Sequence, residues 1–157
     1  RYRDKHEPLR EIKLGESISN EELLQLDCTV LVPAALSEQI THANASKLRC
    51  RILAEGANGP TTLEADRILT DKGVFIIPDI LANSGGVIVS YFEWVQDVQR
   101  FFWKAKDIQD RLQDIITSAF HRTLQFSVEK RTTMRMAALM SGIDKVAQAH
   151  LQRGLYP

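Results

Sequence analysis

The chain has 157 residues, 44% of them hydrophobic, and its 20 basic and 20 acidic side chains cancel to zero net charge. That length allows burial of roughly two-thirds of the surface exposed on unfolding, enough for a core. Charge balance argues against a general nucleic-acid or anionic-membrane binder, which needs a cationic surplus, and no apolar run approaches the ~20 residues that span a bilayer.

Residues 1–18 open on Arg1 rather than methionine, so the chain is expected to be a piece of something longer. They are charge-rich, broken by Pro8 and Gly15, and read as a loop or arm. Ser19 and Glu22 have the spacing of a capping box opening a short helix. Cys28 to Val32 then form a β-branched run closed by Pro33, and apolar runs without alternation suit a sheet covered on both faces. Thr41 is expected to cap a helix reaching about Leu48, before a second strand from Cys50 to Ala54. Cys28 and Cys50 are too few for a disulfide framework and each edges an apolar run, so buried reduced thiols and a cytoplasmic protein are expected.

Thr61 and Glu64 again have capping-box spacing, and Ala65, Ile68 and Leu69 give the next helix its inward face. Gly73 stands where a left-handed helix end is wanted, and Val74 to Ile77 form a third strand closed by Pro78. Strands and helices alternating at this spacing imply βαβ crossovers and a parallel sheet. After Asn83 the rhythm turns helical. Val87, Tyr91, Val95, Val98 and Phe102 mark one helix, Ile108 to Phe120 a second, and Met136 to Leu151 a third. The expected architecture is α/β: half of a doubly wound parallel sheet followed by a C-terminal helical tail.

In such a sheet ligands bind at the carboxyl ends of the strands. Here those ends lead into Pro33-Ala34-Ala35-Leu36, Glu55-Gly56-Ala57-Asn58-Gly59-Pro60-Thr61-Thr62 and Pro78-Asp79-Ile80-Leu81-Ala82-Asn83-Ser84-Gly85-Gly86. Small residues let a flat ligand approach the backbone, and Asn58 and Asn83 each offer the paired donor and acceptor that suit a carboxamide such as that of nicotinamide. Singly, each loop reads as a plain turn; three at one sheet edge read as a binding rim. Gly85-Gly86 opens a helix whose first amides suit an anion. Val87 and Ser90 share a helix face and make a plausible wall for a substrate with a methylene chain and a carboxylate, although sequence alone favours a Ser90 bonded to its own helix.

Other signals are missing. The sequence holds no G-x-G-x-x-G turn, no nucleophile elbow and no metal-ligand spacing among His6, His42, His121 and His150. Glu55 and Asp79 read as surface or backbone-orienting acids rather than general bases. The aromatic group Tyr91, Phe92, Trp94, Phe101, Phe102 and Trp103 reads as core or interface, and Met134, Met136 and Met140 as packing residues.

Pro33 to Leu36 followed by Gln39-Ile40-Thr41 and Asn44-Ala45, then Glu55 to Thr62, Pro78 to Asn83 with Gly85-Gly86, and Ser90-Tyr91-Phe92-Glu93-Trp94-Val95-Gln96 resemble the C-terminal half of glutamate dehydrogenase, in order and at matching spacing. The block Ser90 to Trp94 looks glutamate-type rather than leucine-, phenylalanine- or valine-type. The resemblance implies a Rossmann-like cofactor domain whose second half is residues 19–83, with residues 84–157 as helices packing near the hinge to an absent N-terminal domain. It implies NAD or NADP as cofactor and L-glutamate/2-oxoglutarate as substrate pair. Ala35 and Gln39 match the adenine side, Ala57 and Asn58 the nicotinamide ribose, and Asn83 the nicotinamide and the substrate's α-amino group. Ser90 matches the hydroxyl on the glutamate side-chain carboxylate, and Val87 a neighbouring wall.

None of the chain's lysines lies in the family's catalytic motif, so the catalytic lysine, its aspartate and the glycine fingerprint are expected on the N-terminal half, and this piece alone is expected to be inactive. Ser84 stands where alanine is usual, Leu63 where proline is common and Ile88 where threonine is common. Half a sheet leaves a strand edge open, so this piece is expected either to be an oligomer or to have folded with its missing half; the complete protein is expected to be a homo-oligomer. Two rivals stand beside this reading: a non-catalytic truncated or regulatory paralogue acting in an assembly, and a dehydrogenase for another amino acid.

Overall fold

The computed structural model describes residues 15–154, so most of the expected N-terminal arm lies outside the described residues. Helix α1 (Asn20–Leu24) opens with the expected capping box: the Ser19 hydroxyl accepts from the Glu22 amide at 3.2 Å and Glu22 Oε2 accepts from the Ser19 amide at 2.7 Å. Strands β1 (Val30–Leu31), β2 (Ile52–Ala54) and β3 (Phe75–Ile77) form a parallel sheet in that order. Val30 pairs with Ile52, and Ile52 with Phe75; Leu31 pairs with Leu53, and Leu53 with Ile76.

Two helix starts differ from expectation. Instead of a helix from Thr41 to Leu48 there is only a 3-10 turn, Ala45–Lys47. The Asn44 side chain accepts from the Thr41 amide at 2.8 Å and donates to the Gln39 carbonyl at 2.9 Å, closing a local turn, and the backbone is already extended at Leu48, which ends the helical turn there. Helix α2 (Leu63–Asp71) is capped by Thr62, which accepts from the Ala65 amide, and not by Thr61. Thr61 is drawn into a parallel bridge with Ile40, and the helix starts one residue later. The other end of α2 is as expected. Gly73 takes φ +77°, its amide donates to the Thr70 carbonyl, and the Val74 amide reaches back to Leu69, the two bonds of a Schellman closure.

Helix α3 (Asp79–Ala82) lies inside the third expected loop and leads into α4 (Gly85–Gln99), α5 (Ala105–Lys130) and α6 (Met134–Arg153). Arg100 and Arg131 close α4 and α5 in the left-handed region. Helix α5 packs along α6 and against α4, and α6 also reaches β3. The core lies on one face of the sheet, where Leu53, Ile76 and the partly buried Leu31 meet Ile40, Leu48, Ala65 and Leu69. Cys50 joins this core and Cys28 packs against it half-buried, both as free thiols.

The opposite face is less covered than expected. Val30 and Val32 are about half exposed, while α6 packs on the β3 side of the sheet. The helices show the same one-sidedness. In α4 Phe92 and Gln96 are buried while Val87, Tyr91, Trp94 and Val98 are exposed. In α6 Met134 and Ala137 are buried while Met136, Leu139, Met140, Ile143, Val146 and Leu151 are exposed. The apolar faces expected to turn inward are real, but among the described residues little packs on them.

Gly56 is a point of close approach: a Cβ there would stand 3.0 Å from Ala34 Cβ and 3.3 Å from Ala34 Cα. Gly56→Ala should therefore lower stability by about 1–3 kcal/mol through overpacking, read as a shift of the denaturant midpoint, and Ala34→Gly should restore part of the loss. The Glu22 carboxyl sits below its ordinary range because the Ser19 amide, then the Ser19 hydroxyl, donate to its charged form. A lowered carboxyl stabilises α1 above the ordinary glutamate pKa, and that stability fades as pH falls through the folded value. An NMR titration should place the Glu22 midpoint below the ordinary glutamate value, and Ser19→Ala should raise it.

Candidate functional site

Parallel pairing sends the chain out of all three strands at one edge, and the three following loops enclose a hollow of about 820 Å³. The first loop contributes Ala35, Leu36 and Ser37; the second Gly56, Ala57 and Asn58; the third Ile80, Asn83 and Ser84, with Val87 from the first turn of α4. Of the residues expected to bind, the structure thus gathers Ala35, Ala57, Asn58, Asn83 and Val87. Gln39 and Ser90 lie outside this lining. Gln39 accepts from Asn20 Nδ2 at 3.1 Å and donates to the Ser37 carbonyl at 3.0 Å. Ser90 is exposed on α4, one turn beyond Val87.

The loops are held to one another by backbone groups. The Ala57 amide donates to the Pro33 carbonyl and the Glu38 amide to the Gly59 carbonyl, each at 2.8 Å. Asn83 Nδ2 donates to Asn58 Oδ1 at 2.7 Å, so the two amides face each other from the second and third loops. That bond leaves the Asn58 amino group as a donor and the Asn83 oxygen as an acceptor, the complement of a carboxamide. The Ser84 hydroxyl donates to the Leu81 carbonyl at 2.8 Å, turned back onto the end of α3. No side chain lining the hollow is ionisable. Such a hollow can bind and orient, but proton transfer would need a group from elsewhere.

Behind the loops lies a cluster that sequence reasoning missed. Glu55, weighed as a surface or orienting acid, is fully buried. Its Oε2 accepts from the Asp79 amide at 2.9 Å, so it orients backbone, and its Oε1 accepts from Arg135 Nη2 at 2.7 Å. Arg135 Nε donates to Asp66 Oδ1 at 2.8 Å, and Nη1 stands 3.5 Å from Asp79 Oδ1. Asp79 in turn accepts from the Gly59 amide at 2.8 Å.

One guanidinium from α6 thus meets three carboxylates, from the end of β2, the first turns of α2 and of α3. The partial positive charge at the starts of those two helices offsets part of the acidic excess. Burial by itself disfavours the Arg135 cation, but the Glu55 and Asp66 bonds and charges outweigh it and hold its pKa above the ordinary value. Removing one partner of a buried pair commonly costs about 3–5 kcal/mol. The available signal was a lone cation in the apolar stretch Met134 to Met140, together with an acid directly after a buried strand.

Among the described residues no group of His, Cys, Asp or Glu is arranged to hold a metal ion, and no helix is long and apolar enough to cross a membrane.

The model of the glutamate/leucine/phenylalanine/valine dehydrogenases matches residues 1–154. The glutamate dehydrogenase of Thermotoga maritima is 47% identical over all 157 residues, which cover 38% of that protein. The NAD-specific glutamate dehydrogenase of Staphylococcus aureus is 48% identical over 139 residues, 88% of this chain and 34% of that one. Among solved structures, the hetero-hexameric glutamate dehydrogenase of Thermus thermophilus in its leucine-bound form superposes with TM-score 0.85 at 30% identity, over 89% of this chain and 34% of that one. That of Peptoniphilus asaccharolyticus does so with TM-score 0.76 at 38% identity, over 80% of this chain and 32% of that one. The chain spans a little over a third of the length of these curated relatives. With its parallel half-sheet, its loop-lined hollow and a family match along nearly its whole length, the chain belongs to the glutamate/leucine/phenylalanine/valine dehydrogenase family.

Proposed function

We propose that the chain is the cofactor-binding C-terminal portion of a glutamate dehydrogenase, which deaminates L-glutamate to 2-oxoglutarate and ammonia with NAD, or NADP, as oxidant. The observation that carries this is the pair of facing amides, Asn58 and Asn83, in a hollow without ionisable side chains at the carboxyl edge of a parallel sheet. The small side chains and the free donor and acceptor of the two amides fit a nicotinamide and its ribose. When bound, the cofactor supplies the hydride acceptor.

This chain's residues then have binding roles. Ala35 and, from outside the hollow, Gln39 face the adenine side; Ala57 and Asn58 hold the nicotinamide ribose; Asn83 holds the carboxamide and the substrate's amino group. Val87 forms one wall beside the substrate. Ser90, on the same helix face one turn on, donates its hydroxyl to the distal carboxylate of glutamate. Its position outside the hollow fits a substrate lying between α4 and a second domain not present here. The proton-handling residues belong to that second domain, whose closure excludes water. Exposed Tyr91, Trp94, Phe101 and Phe102 suit packing against it or against further copies in an oligomer.

The preference for NAD follows the likeness to the NAD-specific relative of Staphylococcus aureus. The preference for glutamate over another amino acid rests on Ser90 and its neighbours.

The isolated chain should show no turnover with glutamate and either cofactor in steady-state assays, and measurable turnover would place catalysis within it. In the complete enzyme Ser90→Ala should lower glutamate kcat/KM by one to two orders of magnitude, the loss of a charge-assisted bond worth ~1.5–3 kcal/mol. An unchanged value would remove Ser90 from the substrate site.

A further inference from the structure

We infer that Arg135 is a positioning residue for cofactor binding, acting through Glu55 and Asp79 on the loops that carry Asn58 and Asn83; the inference rests on the proposed use of the hollow. The guanidinium touches nothing in the hollow and is not among its lining residues. Its reach is indirect but short. Nη2 bonds Glu55 Oε1 at 2.7 Å, and Glu55 Oε2 holds the Asp79 amide at 2.9 Å. Asp79 Oδ2 holds the Gly59 amide at 2.8 Å. Gly59 follows Asn58 directly, and Asp79 opens the short helix that ends beside Asn83. One chain of charge-assisted bonds therefore runs from α6 to the backbone next to both amides.

The geometry of the pair depends on it. The bond from Asn83 Nδ2 to Asn58 Oδ1 is 2.7 Å and spans two loops. Beyond that contact, the same loops are joined by the Gly59–Asp79 and Asp79–Glu55 bonds. The Asp79 backbone is fixed by Glu55 through its amide, and its Oδ1, which also accepts from the Ile80 amide at 2.8 Å, stands 3.5 Å from Arg135 Nη1. Glu55, fully buried, is held in one orientation by Arg135, at 80 residues' separation in sequence. The fork geometry of arginine matters, since its three nitrogens address Asp66, Glu55 and Asp79 separately. A lysine in the same place offers one charge point and cannot hold all three. The same atoms make α6 a carrier of information: displacing its first turn would loosen the loops of the hollow.

The test uses the natural gene product that contains this chain, with wild type, Arg135→Met, Arg135→Lys and Leu48→Ala. Leu48 is buried in the core ahead of β2, at the end of the sheet away from the loops and outside the relay, so Leu48→Ala lowers Tm without cutting it. Binding of reduced nicotinamide cofactor is read by its fluorescence at a temperature where every variant is folded, alongside kcat at saturating cofactor. Arg135→Met should raise the cofactor Kd at least tenfold and Arg135→Lys at least threefold, with kcat reduced less than threefold, while Leu48→Ala leaves Kd unchanged. Where Arg135→Met does not fold, Arg135→Lys decides by the same criterion. Folded Arg135 variants that bind cofactor like wild type would overturn the inference, as would a Kd that rises equally in Leu48→Ala. A wild type that neither binds cofactor nor turns over would instead sink the functional proposal.

Discussion

Everything at the candidate site follows from parallel pairing in a fixed register. Because β1, β2 and β3 run the same way with Leu31, Leu53 and Ile76 level, the chain leaves all three at one edge. Antiparallel pairing of the same strands would scatter those exits to opposite ends. The pairing is held by burial of the Leu31–Leu53–Ile76 row against Ile40, Leu48, Ala65 and Leu69. A slip of one residue would carry that row to the opposite face and lose the core. The hollow is a by-product of this constraint, and its lining of small and amide residues gives it a chemistry.

Loops gathered by a sheet still have to be held at a working distance. Backbone bonds join the first loop to the second. The second and third meet through polar side chains: Asn83 on Asn58, and Asp79 on the Gly59 amide. Behind them the guanidinium of Arg135 gathers Glu55, Asp66 and Asp79. The helical tail is therefore part of the site, since its last helix supplies the cation that the sheet edge lacks. An apolar substitution of similar volume for such a cluster can be neutral for stability elsewhere. Here the cluster also fixes direction, which an apolar contact does not.

Much of this was legible in the sequence for identifiable reasons. The first and third strands announced themselves as apolar, β-branched runs closed by proline, and Ser19, Glu22 and Gly73 stand where the helix ends need them. Asn58 and Asn83 were found because they sit just after strands in small-residue loops. Other features depended on contacts that a linear pattern does not carry. Thr62 replaced Thr61 as a cap because Ile40, far back in the chain, bridges Thr61. The helix expected after Thr41 is a single 3-10 turn, ended where the backbone goes extended at Leu48 to lead into β2. Arg135 went unnoticed because its partners are far away in sequence, and Ser90 was placed by likeness to a family rather than by anything the three loops dictate. The apolar faces of α4 and α6 stay exposed among the described residues, and the chain spans 38% of the Thermotoga maritima relative's length.

The central claim is that the hollow between the three loops receives the nicotinamide end of the cofactor. A structure of the complete gene product with reduced cofactor bound tests it most directly. The account predicts the carboxamide within hydrogen-bond distance of Asn83 or Asn58, with the ring beside Ala57 and Val87. Cofactor density anywhere else, with the amides of Asn58 and Asn83 still bonded only to each other, would contradict it.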